Sequence, residues 1–321
     1  MSSLHAKWII KAKLINQSPI IIGTGKQSGW VDIEVIKDEK GNFYIPGSSF
    51  KGALRHFLVQ NYNVDKELVD LFFGSLDGQG MATIYDLISS EETLIKVRDG
   101  VAIDLKTNIA KEGAKYDYEV VEAGHQFNLK IELSIFDNDK VDDLKKLVAT
   151  IKQILENKNE IFAIGAMTTK GFAILKCIDF KFYEFDFINE EKAKEKWLKI
   201  LLNGEKEFDS IEEVKLQEFT YNELSKSQFS ISATFKIKSS LLIGAEPDID
   251  DYADKVPLKS KGKPVLSGTS LKGALRSRAI KIINTLGGNG ENIIRNMFGW
   301  ADTENKDRQK IKSRLIVYET V

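Results

Sequence analysis

The sequence predicts an α+β protein built as two tandem ferredoxin-like halves, and three observations predict it. A signature segment occurs twice, as Tyr44-Ile45-Pro46-Gly47-Ser48-Ser49-Phe50-Lys51-Gly52-Ala53-Leu54-Arg55 and as Val265-Leu266-Ser267-Gly268-Thr269-Ser270-Leu271-Lys272-Gly273-Ala274-Leu275-Arg276. The flanks recur in the same order: Pro19-Ile20-Ile21-Ile22-Gly23 answers Ser240-Leu241-Leu242-Ile243-Gly244, and Leu71-Phe72-Phe73-Gly74 answers Asn296-Met297-Phe298-Gly299. Ordered landmarks of this kind mark an internal duplication. Finally, the first half changes between strand and helix periods in the order β-α-β-β-α-β, the split ferredoxin-like pattern.

Each element has its own signal. Residues 7–22 alternate apolar and polar, as a half-buried strand does. Residues 48–60 read as a helix, with Ser48 or Ser49 as cap and Phe50, Leu54, Phe57 and Leu58 on one face. A short helix over 65–73 leads to a strand at 81–88, and 125–137 alternate as another strand. Val141, Leu144, Leu147, Val148, Ile151 and Leu155 recur at helical spacing over 139–157. A last strand runs from Gly171 to about Phe187. These make a first domain over 1–187. Residues 89–124 fit no such element and read as a hairpin or loop projecting from the sheet, a length that in compact domains carries function. Residues 188–227 read as a connecting helix and acidic linker. The second domain, 228–321, runs out after the strand Arg314 to Tyr318, which matches Met81 to Leu87, so it is incomplete.

Composition bounds the function classes. The 321 residues are 42% hydrophobic, 29% charged and 10% aromatic, a globular profile with material for real cores. Charges interrupt every apolar run before it reaches membrane-spanning length, and the amino terminus is strand-like rather than a leader. Cys177 is the only cysteine, which leaves neither a disulfide frame nor a cysteine zinc site and fits a reducing, cytoplasmic home. His5, His56 and His125 are scattered, with no i, i+4 pair for a metal. The net charge of −1 says nothing about nucleic acid. Local charge does: from Asp254 to Lys281 there are eight cations and one acid.

The signature carries the chemistry. A Gly-Ser-Ser or Gly-Thr-Ser turn at a helix start presents backbone N–H groups and hydroxyls to an anion. Lys51 and Arg55, like Lys272 and Arg276, stand four residues apart and share a helix face. Gly52 and Gly273 inside the helix cost stability, which suggests close approach by something else. In outline this is a phosphate-binding arrangement, although the Walker spacing is absent. The alternative reading of either copy is a capped helix with solvated cations.

These residues resemble the signature of the RAMP superfamily, the repeat-associated proteins of CRISPR effector complexes. The closest likeness is to the backbone subunit of type III complexes. Val101-Ala102-Ile103-Asp104, Thr107, Ala110, Gly113-Ala114-Lys115-Tyr116 and Glu119-Val120 resemble that family's thumb hairpin, with Gly124 and Phe127 following in place. Ile164-Gly165-Ala166-Met167-Thr168-Thr169-Lys170-Gly171-Phe172 resembles its glycine-rich loop. The resemblance implies tandem RRM-type domains, the first with a thumb insertion. It implies RNA contacts from Gly47, Ser48, Ser49, Lys51, Arg55, Gly268, Thr269, Ser270, Lys272, Arg276 and Lys170. It further implies guide RNA, complementary target RNA and other effector subunits as partners, in antiviral defence.

In that family an aspartate in the loop before the signature cuts target RNA with a divalent metal, Mg²⁺ or another. Asp32, in Trp30-Val31-Asp32-Ile33-Glu34, stands at that place as catalyst and metal ligand. Asp254 falls at the matching place of the second half if one residue is deleted, with Asp248, Asp250 and Asp251 nearby. A loop aspartate is otherwise a turn former. The family's cutting subunit follows its aspartate with a small residue and proline, whereas Ile33 and Glu34 follow here. Three functions stay open: a guide-RNA-binding backbone subunit that cleaves target RNA, a non-cleaving structural or capping subunit, and a stand-alone binder of a phosphorylated small ligand.

Overall fold

The structure, a computed structural model, describes residues 3–25, 31–104, 107, 109–136, 140–157, 161–224, 229–247, 253–288, 290–301 and 310–320. Trp30, Asp248, Asp250 and Asp251 lie outside the described residues. The first half opens with β1 (Ala6–Asn16), whose residues Trp8, Ile10, Ala12 and Leu14 alternate into one face, as the sequence requires. Then follow β2 (Tyr44–Ile45), α1 (Gly47–Asn61), α2 (Lys66–Phe73), β3 (Ala82–Ile84) and β4 (Leu87–Ser89). A long hairpin of β5 (Ile95–Ile103) and β6 (Ala110–Val121) comes next, then β7 (Gln126–Ile135), α3 (Val141–Leu155) and β8 (Leu175–Asp186).

The sheet order is β2-β4-β7-β1-β8, with β3 also on β7, and its pairs are antiparallel. With β3 and β4 as one broken strand, this is the ferredoxin-like order. α1, α2 and α3 cover one face through Phe50, Leu54, Leu58, Leu68, Phe72, Leu147, Ile151 and Leu155. The cap of α1 differs from expectation: the helix begins at Gly47, Pro46 is its N-cap, and neither serine caps it. Asp86 supplies the acceptor instead, taking the Gly47 N–H at 2.7 Å.

Residues 188–227 do more than connect. α4 (Ala193–Asn203) and the 3₁₀ turn Gly204–Ser210 cover the opposite face of the sheet, burying Ile9, Tyr183 and Phe185 beneath Ala193, Ile200 and Phe208. Beyond them the chain straps back over the helices, where Val214 N–H donates to Phe182 O and Leu224 N–H to Asn61 O. Lys7 lies over the Trp197 ring and Lys11 over that of Phe208 on this face.

In the second half β9 (Gly244–Ala245) pairs with β10 (Val256–Pro257), and β11 (Lys259–Ser260) with β12 (Lys263–Pro264). α5 (Gly268–Thr285) and α6 (Glu291–Phe298) follow, then β13 (Trp300–Ala301) paired with β14 (Lys310–Ile311). The expected strand over Arg314 to Tyr318 is extended chain that joins no ladder beyond the Leu266–Thr320 bridge. Phe229, Ile231 and Phe235 occupy the register of Trp8, Ile10 and Leu14, yet they are 89%, 80% and 78% exposed. Counterparts of β7, α3 and β8 do not occur in the second half among the described residues, so that apolar face has nothing to pack on.

Candidate nucleic-acid interface

The two signature helices start in the same tight way. A Cβ on Gly47 would lie 2.2 Å from Ile84 O, and one on Gly268 would lie 2.4 Å from Val317 O and 2.2 Å from Lys170 O. Only glycine lets the helix start approach those backbones. Ile84-Tyr85-Asp86 thus corresponds to Val317-Tyr318-Glu319. At Gly52 and Gly273, by contrast, nothing lies within 4 Å, so any close approach there comes from outside the described chain.

Around α1 one of the two cations, Arg55, is answered from within. Arg55 pairs with Asp70 of α2 through Nη2, and Asp86 sits on the helix N-terminus at Gly47. Ser48 is exposed, Ser49 and Lys51 are partly exposed, and Lys51 makes no hydrogen bond or ion pair to any described residue. The interactions of Arg55 and Asp86 were not legible from the signature alone, because both acids lie outside it.

Around α5 the arrangement changes. Ser267 caps the helix, accepting from Ser270 N–H at 3.2 Å, with Thr269 Oγ1 3.0 Å from its hydroxyl. Lys272 is buried and donates to Thr169 O at 3.1 Å and Leu315 O at 2.9 Å, stapling α5 to the glycine-rich loop of the first half. Burial, with Lys170 and Arg276 nearby, lowers its pKa to about 8. Arg276 makes no hydrogen bond or ion pair to a described residue, and its Nε is buried without a partner. Burial alone lowers Arg276, and likewise Lys170. Lys170, Lys272 and Arg276 therefore gather at the seam between the halves.

The loop aspartates lean on the hairpin. Asp32 N–H donates to Asp117 O at 3.1 Å, and Asp117 N–H donates to Asp32 Oδ2 at 2.9 Å, so the exposed carboxylate is held at β6. Across the hairpin, Asp99 is the register partner of Asp117. Lys255, next to Asp254, reaches Asp99 at 3.3 Å. Asp254 is exposed and makes no hydrogen bond to a described residue. Both pre-signature loops thus flank a single rung. Within the hairpin the Tyr116 ring lies across Gly100, whose added Cβ would meet it at 2.2 Å, and Asp104 closes the tip by accepting from Thr107 N–H.

A hard divalent cation suits this donor set in one way only. Among the described residues no three carboxylates or imidazoles converge to cage a metal. Asp32 Oδ1 has no partner among the described residues, and one carboxylate completed by phosphate oxygens and water is an ordinary Mg²⁺ arrangement.

One buried node escaped the sequence reading. Arg98 of β5 donates to Glu122 at 3.1 Å and to Glu319 at 3.0 Å, and Ser260 donates to Glu122 at 3.2 Å. The equivalence of Glu319 with Asp86 was its only trace. Two shallow depressions lie elsewhere, lined by Glu184, Glu190, Glu212, Glu213 and Glu218 together with Lys152, Lys196 and Lys215. No described helix is long and apolar enough to cross a membrane. A family model described as the RAMP superfamily matches residues 13–176 and 234–321. The comparison with curated proteins gives no match.

Proposed function

Because this chain belongs to the RAMP superfamily, we propose that it is a guide-RNA-binding backbone subunit of a type III CRISPR ribonucleoprotein that contributes metal-dependent cleavage of target RNA in antiviral defence. Family membership already makes it a CRISPR-associated RNA-binding subunit of an effector complex. The type of complex, the backbone position and the cleavage are the proposed part.

One observation supports cleavage most directly: the reciprocal hydrogen bonds between Asp32 and Asp117 fix a solvent-facing carboxylate at the root of the hairpin. When bound there, Mg²⁺ or another divalent cation supplies charge neutralisation at a phosphate. The chain's own part is positional. Asp117 N–H occupies Oδ2 of Asp32 and so leaves Oδ1 for the ligand. The reaction class is transesterification, in which a 2′-hydroxyl attacks the adjacent phosphorus and the 5′-oxygen departs. Asp254 is the counterpart in the second half.

The test is Asp32→Asn and Asp254→Asn, singly and together, in the assembled complex, with target cuts mapped to the nucleotide. Each substitution removes the cuts its half makes. A double variant that still cuts at every interval overturns the assignment. The non-cleaving structural or capping reading is favoured by Ile33 and Glu34 after Asp32, where the family's cutting subunit has a small residue and proline, and uncut target in the wild-type complex would establish it.

A further inference from the structure

The duplication gives a position-by-position comparison of the two signatures, and the acids that surround them do not match. Asp70 stands four positions before the helix-capping Gly74, and it neutralises Arg55. The same place before Gly299 holds Arg295, which lies over the Trp300 ring at 4.4 Å. Asp86 covers the start of α1. Its counterpart Glu319 is drawn away by Arg98, with Arg98 and Glu319 side chains only 4% and 8% exposed. In the first signature Arg55 and the helix start are therefore each answered by an acid, while Lys51 is not. The second has lost one acid to charge reversal and the other to Arg98.

The consequence falls on Arg276. It corresponds to Arg55, and both carry a buried Nε with no acceptor, but where Arg55 has Asp70 the Arg276 side chain makes no ion pair among the described residues. Lys170, half-buried on the adjoining loop, also makes no side-chain hydrogen bond or ion pair among the described residues. Lys272 between them is occupied by two carbonyls. A partly buried guanidinium and ammonium without counter-charge among the described residues stand at a cost that an incoming anion relieves. A guanidinium matches a phosphate in particular, because its planar fork donates to two oxygens at once.

We propose that the second signature, not the first, grips a backbone phosphate of the bound RNA, through Arg276 and Lys170, while Arg55 serves the fold. The inference rests on the RNA-binding reading above and assigns unequal work to two near-identical motifs.

The test uses the full chain and a labelled single-stranded RNA, with binding measured by anisotropy across a salt series. Methionine replaces each arginine so that the apolar stem still packs. Arg276→Met weakens binding about tenfold and makes the slope of log K against log salt shallower by about 0.7, the loss of one phosphate contact on a single strand. Arg55→Met leaves affinity within about twofold of wild type, because its partner is Asp70 rather than RNA. Arg295→Asp restores the missing internal acid and weakens binding as Arg276→Met does, whereas Lys194→Asp on the remote, exposed face of α4 controls for net charge. Equal losses for Arg55→Met and Arg276→Met, or equal effects of Arg295→Asp and Lys194→Asp, overturn the proposal. A wild-type chain that binds no RNA at any salt overturns the parent reading instead.

Discussion

Arg98 and Glu319 meet at 3.0 Å inside the protein, one at the foot of the hairpin and the other beyond the second signature. Glu122 takes the other arm of the guanidinium. Burial alone would lower the pKa of Arg98, but the two carboxylates outweigh it and raise the value. Removing one partner from such a node is costly because it leaves uncompensated charge behind. Arg98→Met is expected to destabilise the chain by about 3–5 kcal/mol in urea unfolding. Adding Glu122→Gln and Glu319→Gln to it should recover much of that loss, since the buried charges then go together.

Lys272 gives the seam a pH dependence. Its pKa of about 8, set first by burial and then by Lys170 and Arg276, lies below the 10.5 of the unfolded chain. Between those values the unfolded state holds the proton more tightly, so stability rises with pH across that window and the gain is lost as pH falls through about 8. Relative to Lys272→Met, the wild type should gain stability from pH 7 to pH 10, read as a shift in urea midpoint. A flat or opposite difference would sink this account of the staple.

Asp32 can be dissected by two substitutions. Asn keeps an oxygen to accept from Asp117 N–H, while Ala removes it. Asp32→Asn is expected to lower cleavage by about 100-fold or more in the assembled complex, with RNA affinity unchanged. Asp32→Ala should lower it similarly and also speed amide exchange at Asp117. Equal exchange in both variants would show that the reciprocal bond does not hold the loop.

The signature glycines divide into two kinds. Gly268→Ala places a methyl 2.2 Å from Lys170 O and should undock α5 from the loop, seen as faster proteolysis within 229–321. Gly273→Ala meets nothing within 4 Å and should stabilise the free chain by about 0.5–1 kcal/mol. If Gly273→Ala also weakens RNA binding or complex assembly, the approach to that helix face comes from outside the chain.

Much of the first half was legible because its periods are strong. The apolar positions of α1, α3, β1 and β7 appear in the sequence at the spacings the packing uses. The role of α4 was not, since Ile200 and Phe208 find their cover against Ile9 and Tyr183 only once the sheet exists. The second half shows the reverse: the alternation of Phe229, Ile231 and Phe235 is plain, but a strand pattern cannot supply neighbours to pair with. At the site, the signature residues announced themselves, while the acids that decide their charge balance, Asp70, Asp86 and Glu319, lie in unremarkable helices and strands. Aligning the two copies around the motif, rather than only within it, is what exposes the Asp70-to-Arg295 change.

The rung formed by Asp99 and Asp117 has a geometric consequence. Asp32 docks on one strand of the hairpin and Lys255 on the other. Two hydrogen-bonded strands run about 5 Å apart, so the hairpin acts as a ruler between the two loops. A bend in the hairpin would therefore displace both loops together. The ribbon thus sets the spacing of the two loops that precede the signatures.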